Sequence, residues 1–208
     1  DVNLIELPIE ILDDDKKIIK DKAQRILNLA LSGDDFEELA KKYSEDSSAQ
    51  NGGDLGWFSR GQMIETFEKA SFEGEIGKVI PYLLETEFGY HIIKVNNKNY
   101  NDSEVNASHI LLIVSPSENS KLKTEKQAKE IIEQINNKKL TFSDATKYSI
   151  IKGEYEFKNI KKGQYIVGIG ENQLLEEAIA SSKVNELSYF ISDKAYIFVK
   201  TKQNSALE

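Results

Sequence analysis

The sequence lacks three features that would each indicate a class of protein. It has no cysteine, which excludes disulfide bonds and thiolate metal sites and suits an oxidising compartment such as a periplasm. It has no run of about 18 apolar residues, so no membrane insertion is predicted. Its 27 basic residues stand against 35 acidic ones, a net charge of −8, which argues against nucleic acid or an anionic membrane as a partner.

What the chain has is the composition and length of one or two globular domains. It contains 208 residues, of which 39% are hydrophobic and 30% charged, and domains commonly hold about 100–150 residues. The chain begins at Asp1, with neither an initiator Met nor a signal-peptide pattern. We therefore expect a fragment or processed form of a longer protein.

The most informative stretch is a glycine-rich segment interleaved with large apolar residues. It reads Asn51-Gly52-Gly53-Asp54-Leu55-Gly56-Trp57-Phe58, and Gly61-Gln62-Met63 follows shortly after. Glycine is favoured where the backbone needs a positive φ or where another surface comes close, while apolar side chains favour burial. The combination predicts the wall of a binding groove.

These residues, with others in order, resemble the parvulin class of peptidyl-prolyl cis-trans isomerases. The further matching elements are Ser44-x-Asp46, Phe67-x-x-Ala70-x-Phe72, Gly77 and Phe88-Gly89-Tyr90-His91-Ile92-Ile93. The resemblance covers roughly the whole first half of the chain. It implies an α+β fold, with a small, mostly antiparallel sheet flanked by helices.

A repeat predicts a second domain of the same kind. Residues 1–9 line up with 104–112, and an amphipathic helix follows each strand; Tyr90 to Val95 line up with Tyr196 to Thr201. The polar stretch 96–103 reads as a linker. We therefore predict two tandem parvulin-like domains, residues 1–100 and 101–208. The second is degenerate and expected to be inactive, because its segment 150–165 has lost the Gly-Gly-Asp-Leu-Gly run.

Prolyl isomerisation breaks no bond, so no nucleophile, metal or cofactor is predicted. The barrier of about 18–20 kcal/mol comes from the partial double bond of the amide. Lowering it requires an apolar socket for the proline ring and groups that favour the twisted amide. The resemblance implies that Leu55, Met63 and Phe67 form the socket, with Trp57 and Phe72 as supporting core or groove rim. It also implies a polar cluster under the amide, formed by Asp46, Thr86 and His91.

The family usually carries a second histidine on its first strand. The alignment of the repeat puts Glu6 at that place, and we expect its carboxylate to accept a hydrogen bond from His91 and hold the ring. The second copy has the opposite defect, with His109 on its first strand but Ile197 on its last. Each copy then holds one half of the histidine pair, and we expect activity, if weak, only in residues 1–100.

Structural alternatives remain open for these residues. His91 could be a buried core histidine, Asp46 a turn residue that ends a helix, and Thr86 a surface strand residue. Leu55, Met63, Phe67 and Phe72 could be ordinary core, since Met63 and Phe67 are spaced as on one helical face. The acidic run 13–15 is expected to begin a helix, because it lacks the spacing of a calcium-binding loop.

Two classes of function fit. One is an isomerase that acts on proline-containing segments of unfolded or nascent protein; the other is a holdase chaperone that binds extended clients without catalysis. Tandem parvulin domains resemble the SurA family of periplasmic chaperones, which implies outer-membrane proteins as clients and a periplasmic location. Extracellular foldases of the PrsA kind fit less well, because they usually carry a single parvulin domain. The sequence gives no oligomeric state.

Overall fold

The computed structural model describes residues 2–101, 103–149, 156–157, 187–191 and 195–201. It confirms an α+β architecture of helices and antiparallel sheets. The chain forms two compact units. We call Ile11–Ser115 the inserted unit, because it is continuous in sequence and interrupts the other. The split unit consists of Asp1–Glu10 and Pro116–Glu208.

The division of the chain differs from the predicted boundary near residue 100. The first strand of the chain belongs to the split unit, and the strand after the polar linker belongs to the inserted unit. The physical reason is a tight antiparallel hairpin around residues 99–103. There Asn99 Oδ1 accepts hydrogen bonds from the backbone N–H groups of Ser103 and Glu104, at 2.8 and 3.0 Å. A chain that turns back so sharply pairs with the strand it has just left.

Among the described residues, the inserted unit contains three α-helices, a short 3₁₀ helix (Ser47–Asn51) and four strands. Its elements are α1 (Asp13–Leu31), α2 (Phe36–Tyr43), β2 (Asp54–Ser59), α3 (Glu65–Glu73), β3 (Leu84–Thr86), β4 (Gly89–Lys98) and β5 (Glu104–Leu112). The sheet order is β2-β5-β4-β3, with every neighbouring pair antiparallel. β5 therefore occupies a central position in the sheet.

Sequence features account for the helices that cover this sheet. The acidic run Asp13, Asp14 and Asp15 forms the first turn of α1. Negative charge there stabilises the helix through its interaction with the helix dipole. Asp35 caps α2 by accepting hydrogen bonds from the N–H groups of Glu37 and Glu38. The apolar faces of α1 and α2 bury one side of the sheet, and α3 covers the other side.

The split unit repeats the same sheet plan. Its elements are β1 (Val2–Pro8), α4 (Glu118–Asn136), α5 (Phe142–Ala145), β6 (Glu156–Phe157), β7 (Leu187–Ile191) and β8 (Ala195–Thr201). The sheet order is β6-β1-β8-β7. β1 is the counterpart of β5, and its core partners include Ala128, Ile131 and Phe142.

Part of the predicted second copy lies outside the described residues. The segment 150–165, whose lost glycine run motivated the prediction of an inactive domain, is described only at 156–157. Residues 175–178, which the sequence repeat aligns with the helical segment 67–70, also fall outside the described residues. The inactivity of this copy therefore stays a prediction.

Candidate functional site

Both histidines of the chain lie in the inserted unit and face each other. His91 is on β4 and His109 on β5, where the strand register pairs His91 with Leu111 and His109 with Ile93. The two rings are thus diagonal neighbours on one face of the sheet. Their Nδ1 atoms are 3.3 Å apart and their ring centroids 5.5 Å apart, and both residues are buried. The two histidines, which the sequence analysis assigned to different domains, therefore form a pair within one unit.

Asp46 extends this pair at the His109 end. Its Oδ2 lies 3.2 Å from His109 Nε2, an electrostatic contact in which the carboxylate sits off the N–H axis and makes no well-directed hydrogen bond. The same oxygen accepts hydrogen bonds from the Ser48 backbone N–H, at 2.8 Å, and from the Ser48 hydroxyl. Ser48 thereby fixes the carboxylate beside the imidazole.

Thr86 extends the pair at the His91 end. Its Oγ1 is 2.8 Å from His91 Nε2 and accepts a hydrogen bond from the Phe88 backbone N–H at 3.1 Å. The strand register brings this contact about, because β3 pairs with β4 so that Leu84 is opposite His91. Asp46, His109, His91 and Thr86 therefore form one continuous polar chain.

With both imidazoles neutral, one arrangement of protons fits this chain. The ionised carboxylate of Asp46 requires the proton of His109 on Nε2, so His109 Nδ1 accepts. His91 then carries its proton on Nδ1, which donates to His109. The bare His91 Nε2 finally accepts from the Thr86 hydroxyl, whose oxygen is already an acceptor for Phe88.

Burial and neighbours set the charges of this chain. Burial, together with repulsion from His109, lowers the pKa of His91 to about 4 against a weaker opposing pull from Asp46, so the ring is neutral at pH 7. Partial burial acts to raise the pKa of Asp46. The hydrogen bonds from Ser48 and the attraction of His109 outweigh it and lower this pKa to about 2. A neutral imidazole and a fixed negative charge thus coexist at neutral pH.

The glycine-rich segment packs its backbone directly against the strand that carries His109. A Cβ on Gly53 would lie 2.1 Å from the His109 carbonyl oxygen, and Gly53 has φ +78°. The His109 N–H donates to the Gly53 carbonyl at 2.9 Å. The predicted role of this glycine in a close approach is confirmed, and its contact is with the sheet beside the histidines.

The predicted socket residues belong to one apolar cluster, and Phe67 of that cluster contacts the histidine pair. Phe67 is buried, and its ring meets both imidazoles edge to face, at centroid distances of 5.5 Å to His91 and 5.7 Å to His109. Leu55 and Met63 are half-buried and pack against the same apolar cluster. Leu55 and Met63 thus add partly exposed apolar surface to the cluster that contains Phe67.

The two supporting aromatic residues separate into core and surface. Phe72 is buried, edge-on to Phe58 at 6.2 Å, and its other face carries the Arg60 guanidinium at 4.0 Å. Trp57 on β2 is 49% exposed. Phe72 is therefore core, and Trp57 is on the surface of the unit.

Glu6 does not belong to this cluster, and the expectation that it holds His91 is wrong. It lies on β1 in the split unit, opposite Ile197. The alignment of the repeat was two residues out of register, since Tyr90 pairs with Leu112 and its counterpart Tyr196 pairs with Leu7. Leu4 is thus the counterpart of His109, and Glu6 that of Leu111. Burial raises the pKa of Glu6.

Sequence reasoning missed two members of the cluster, His109 as the partner of His91 and Ser48 as the partner of Asp46. The hairpin signal Asn99–Ser103, followed at once by a strand, could have indicated the first. Among the described residues no group of three His, Cys, Asp or Glu side chains could hold a metal ion. Within the same residues, no helix is long and apolar enough to cross a membrane.

Comparison with known proteins gives relatives that this chain matches only in part. It is 51% identical over 76 residues to the foldase protein PrsA of Bacillus subtilis (strain 168), 36% of this chain and 26% of that protein. It is 34% identical over 153 residues to the chaperone SurA of Escherichia coli O157:H7, 69% of this chain and 34% of that protein. PrsA is thus the more identical over a short segment, while SurA is matched over more of the chain. The chain spans about a quarter to a third of such relatives.

A solved structure, the peptidylprolyl isomerase PrsA from Bacillus anthracis, is 26% identical over 74% of this chain and 61% of that one. The TM-score between the two structures is 0.34. The family model of the PPIC-type PPIase domain matches residues 4–99 and again 95–204. These two matches cover nearly the whole chain, which therefore belongs to the family of PPIC-type peptidyl-prolyl isomerase domains.

Proposed function

We propose that the inserted unit is a peptidyl-prolyl cis-trans isomerase that acts on Xaa-Pro bonds in unfolded or nascent polypeptides. The observation that supports this most is the convergence of Asp46, His109, His91 and Thr86 beneath Phe67. We further propose, by analogy with SurA, that the protein works in the periplasm on outer-membrane proteins. The split unit is proposed to be non-catalytic.

The proposed chemistry needs no proton transfer. A planar amide places more negative charge on its carbonyl oxygen than a twisted amide does, because twisting removes resonance. An anion near that oxygen raises the energy of the planar form relative to the twisted one, which is differential stabilisation of the transition state. Asp46, ionised at neutral pH and 28% exposed at its side chain, is the group proposed for this role.

The apolar residues are proposed to supply the second half of the effect. Leu55, Met63 and Phe67 would bind the proline ring and remove water from the amide, which strengthens the electrostatic effect of the carboxylate. The polar chain behind Phe67 would hold Asp46 in place, with its His109 and Ser48 contacts.

The test is an isomerisation assay on a short Xaa-Pro peptide with the full chain. We expect Asp46→Asn to lower the rate about tenfold, equivalent to about 1.4 kcal/mol of barrier. Asp14→Asn, an exposed carboxylate at the start of α1, is the matched control and should leave the rate unchanged. Equal rates for both variants would refute the role of Asp46.

A second candidate function is holding of unfolded clients without catalysis. The exposed rings of Trp57 and Phe88, 49% and 54% accessible, support it, since such rings bind apolar segments. A wild-type chain that suppresses client aggregation but leaves the peptide rate at its uncatalysed value would favour this function. Loss of suppression in Trp57→Ala and Phe88→Ala would then locate the binding surface.

A further inference from the structure

We propose that β1 and β5 are interchangeable central strands, and that their exchange between the two units switches the polar site off. In the structure β5 completes the inserted unit and β1 completes the split unit. In the exchanged state β1 would lie in the inserted unit and bring Leu4, not a histidine, to face His91. The effect on activity rests on the proposed isomerase function; the exchange itself does not.

The two units hold their central strands through the same hydrogen bond. Ser44 Oγ accepts the backbone N–H of Leu111 at 3.1 Å, and Ser149 Oγ accepts that of Glu6 at 3.0 Å. Leu111 and Glu6 are the counterparts given by the strand registers. The slots for the central strand are therefore alike in backbone geometry, and exchange of equivalent elements is the basis of domain swapping.

The helix-facing side chains of the two strands are also compatible. Ile5, Leu7 and Ile9 pack in the core of the split unit, and their counterparts Ile110, Leu112 and Val114 in that of the inserted unit. Apolar residues of similar volume substitute for one another at modest cost. Either strand can therefore fill the helix side of either sheet.

A buried polar atom on β1 favours the exchanged state. Asn3 Oδ1 is buried and, among the described residues, has no hydrogen-bond partner. Its counterpart Ser108 accepts a hydrogen bond from the Asn96 side-chain amide at 2.9 Å. In the inserted unit Asn3 would face that amide, which could satisfy its oxygen.

Two residues of β1 oppose the exchange. The Ile113 N–H donates to Glu45 Oε2 at 3.3 Å, whereas its counterpart Pro8 has no N–H to donate. Glu6 would take the place of Leu111, whose carbonyl accepts the Glu45 N–H, and would bring a third carboxylate close to Glu45 and Asp46. The observed pairing is therefore expected to be the major state.

The connections permit both pairings. Only residues 9–12 join β1 to α1, and only 113–117 join β5 to α4, lengths that commonly connect a strand to a helix within one domain. The family match over residues 4–99 runs in that order, with β1 ahead of α1. In the exchanged state, each unit would therefore begin with the strand that directly precedes its first helix in the sequence.

Engineered disulfides test this in the full chain, which has no cysteine of its own. Lys94 pairs with Ser108 in the structure, so Lys94→Cys with Ser108→Cys traps the observed state. Because Asn3 is the counterpart of Ser108, Asn3→Cys with Lys94→Cys forms a bond only after exchange. Asn3→Cys with Lys200→Cys, which are paired in the structure, is the control for reactivity at residue 3.

After refolding in a thiol–disulfide buffer, we expect the bond between positions 94 and 108 in high yield and the bond between positions 3 and 94 in lower but measurable yield. The protein trapped by the second bond should isomerise peptide about a hundredfold more slowly, and reduction should restore the rate. Absence of the 3–94 bond while the 3–200 control forms, or full activity of the trapped protein, would overturn the proposal.

Glu6→Leu sharpens the test, because it removes a carboxylate that opposes β1 in the inserted unit. We expect it to raise the yield of the 3–94 bond, with Glu10→Gln, an exposed residue on the same segment, as the matched control. An unchanged yield would count against competition between β1 and β5 for the central position in the inserted unit. A wild-type chain without isomerase activity would refute the proposed function, while the bond yields would still decide whether the strands exchange.

Discussion

The two units share a scaffold but differ in what fills one face of the sheet. In the inserted unit the central strands carry His91 and His109, and in the split unit their counterparts are Ile197 and Leu4, both buried. In both units a serine hydroxyl oxygen accepts a hydrogen bond from a backbone N–H of the central strand. Retention of the backbone bond with loss of the polar pair indicates that the scaffold and the site are separable.

The pH dependence of stability should separate the units most strongly. His91 has a pKa of about 4 against an ordinary 6.5, so the unfolded chain binds the proton more tightly. Stability therefore rises as pH increases from about 4 to 6.5, by up to about 3 kcal/mol. Trp57, the single tryptophan of the chain, reports unfolding of the inserted unit by fluorescence.

His91→Phe should flatten that rise, because it removes the group that titrates. Both histidines of the chain lie in the inserted unit, so the split unit should show no rise in this window. An equal slope in the variant and the wild type would break the comparison.

Making the inserted unit resemble the split unit at one position should nearly abolish catalysis. His109→Leu introduces the residue found at the counterpart Leu4 and removes the contacts to His91 and Asp46. We expect the peptide isomerisation rate to fall about a hundredfold, as for loss of a preorganised polar group. Leu4→His should leave the rate of the split unit at the uncatalysed level. The new histidine would have no histidine partner there, because Ile197 occupies the position that corresponds to His91.

The sequence predicted the fold class, the family and most of the cluster, because ordered motifs along the chain resemble those of the family. Gly53, Phe67, Asp46 and His91 all lie in such motifs. The partner of His91 could not be found in this way. Both β1 and β5 fit the central position of the sheet. The choice between them depends on Glu45, Pro8 and the hairpin at Asn99. The contributions of these features to the free energy are small, and no sequence pattern predicts them.

Removing the hydroxyl that holds Asp46 should have a moderate effect. Ser48→Ala deletes a hydrogen bond to the carboxylate, so the pKa of Asp46 should rise from about 2. Loss of about 1 kcal/mol of positioning corresponds to about fivefold in rate. The acid limb of the pH–rate profile should move to higher pH; Ser47→Ala, its neighbour without a contact to Asp46 among the described hydrogen bonds, is the control.

The smallest effect tests what the units share. Ser44→Ala and Ser149→Ala remove the same hydrogen bond from the two sheets, and each should lower stability by about 1 kcal/mol. Hydrogen exchange of the amides of Leu111 and Glu6 measures each loss separately. A large loss in one unit and none in the other would show that the scaffolds are not equivalent.

The two histidines form one site, and ring proton contacts measured by NMR test this assembly most directly. The chain contains only two histidines, so their imidazole signals are few. The structure predicts cross-peaks between the two rings, with His109 protonated on Nε2 and its shifts displaced in His91→Phe. Absent cross-peaks, together with His109 shifts that ignore the His91→Phe change, would contradict the assembled pair.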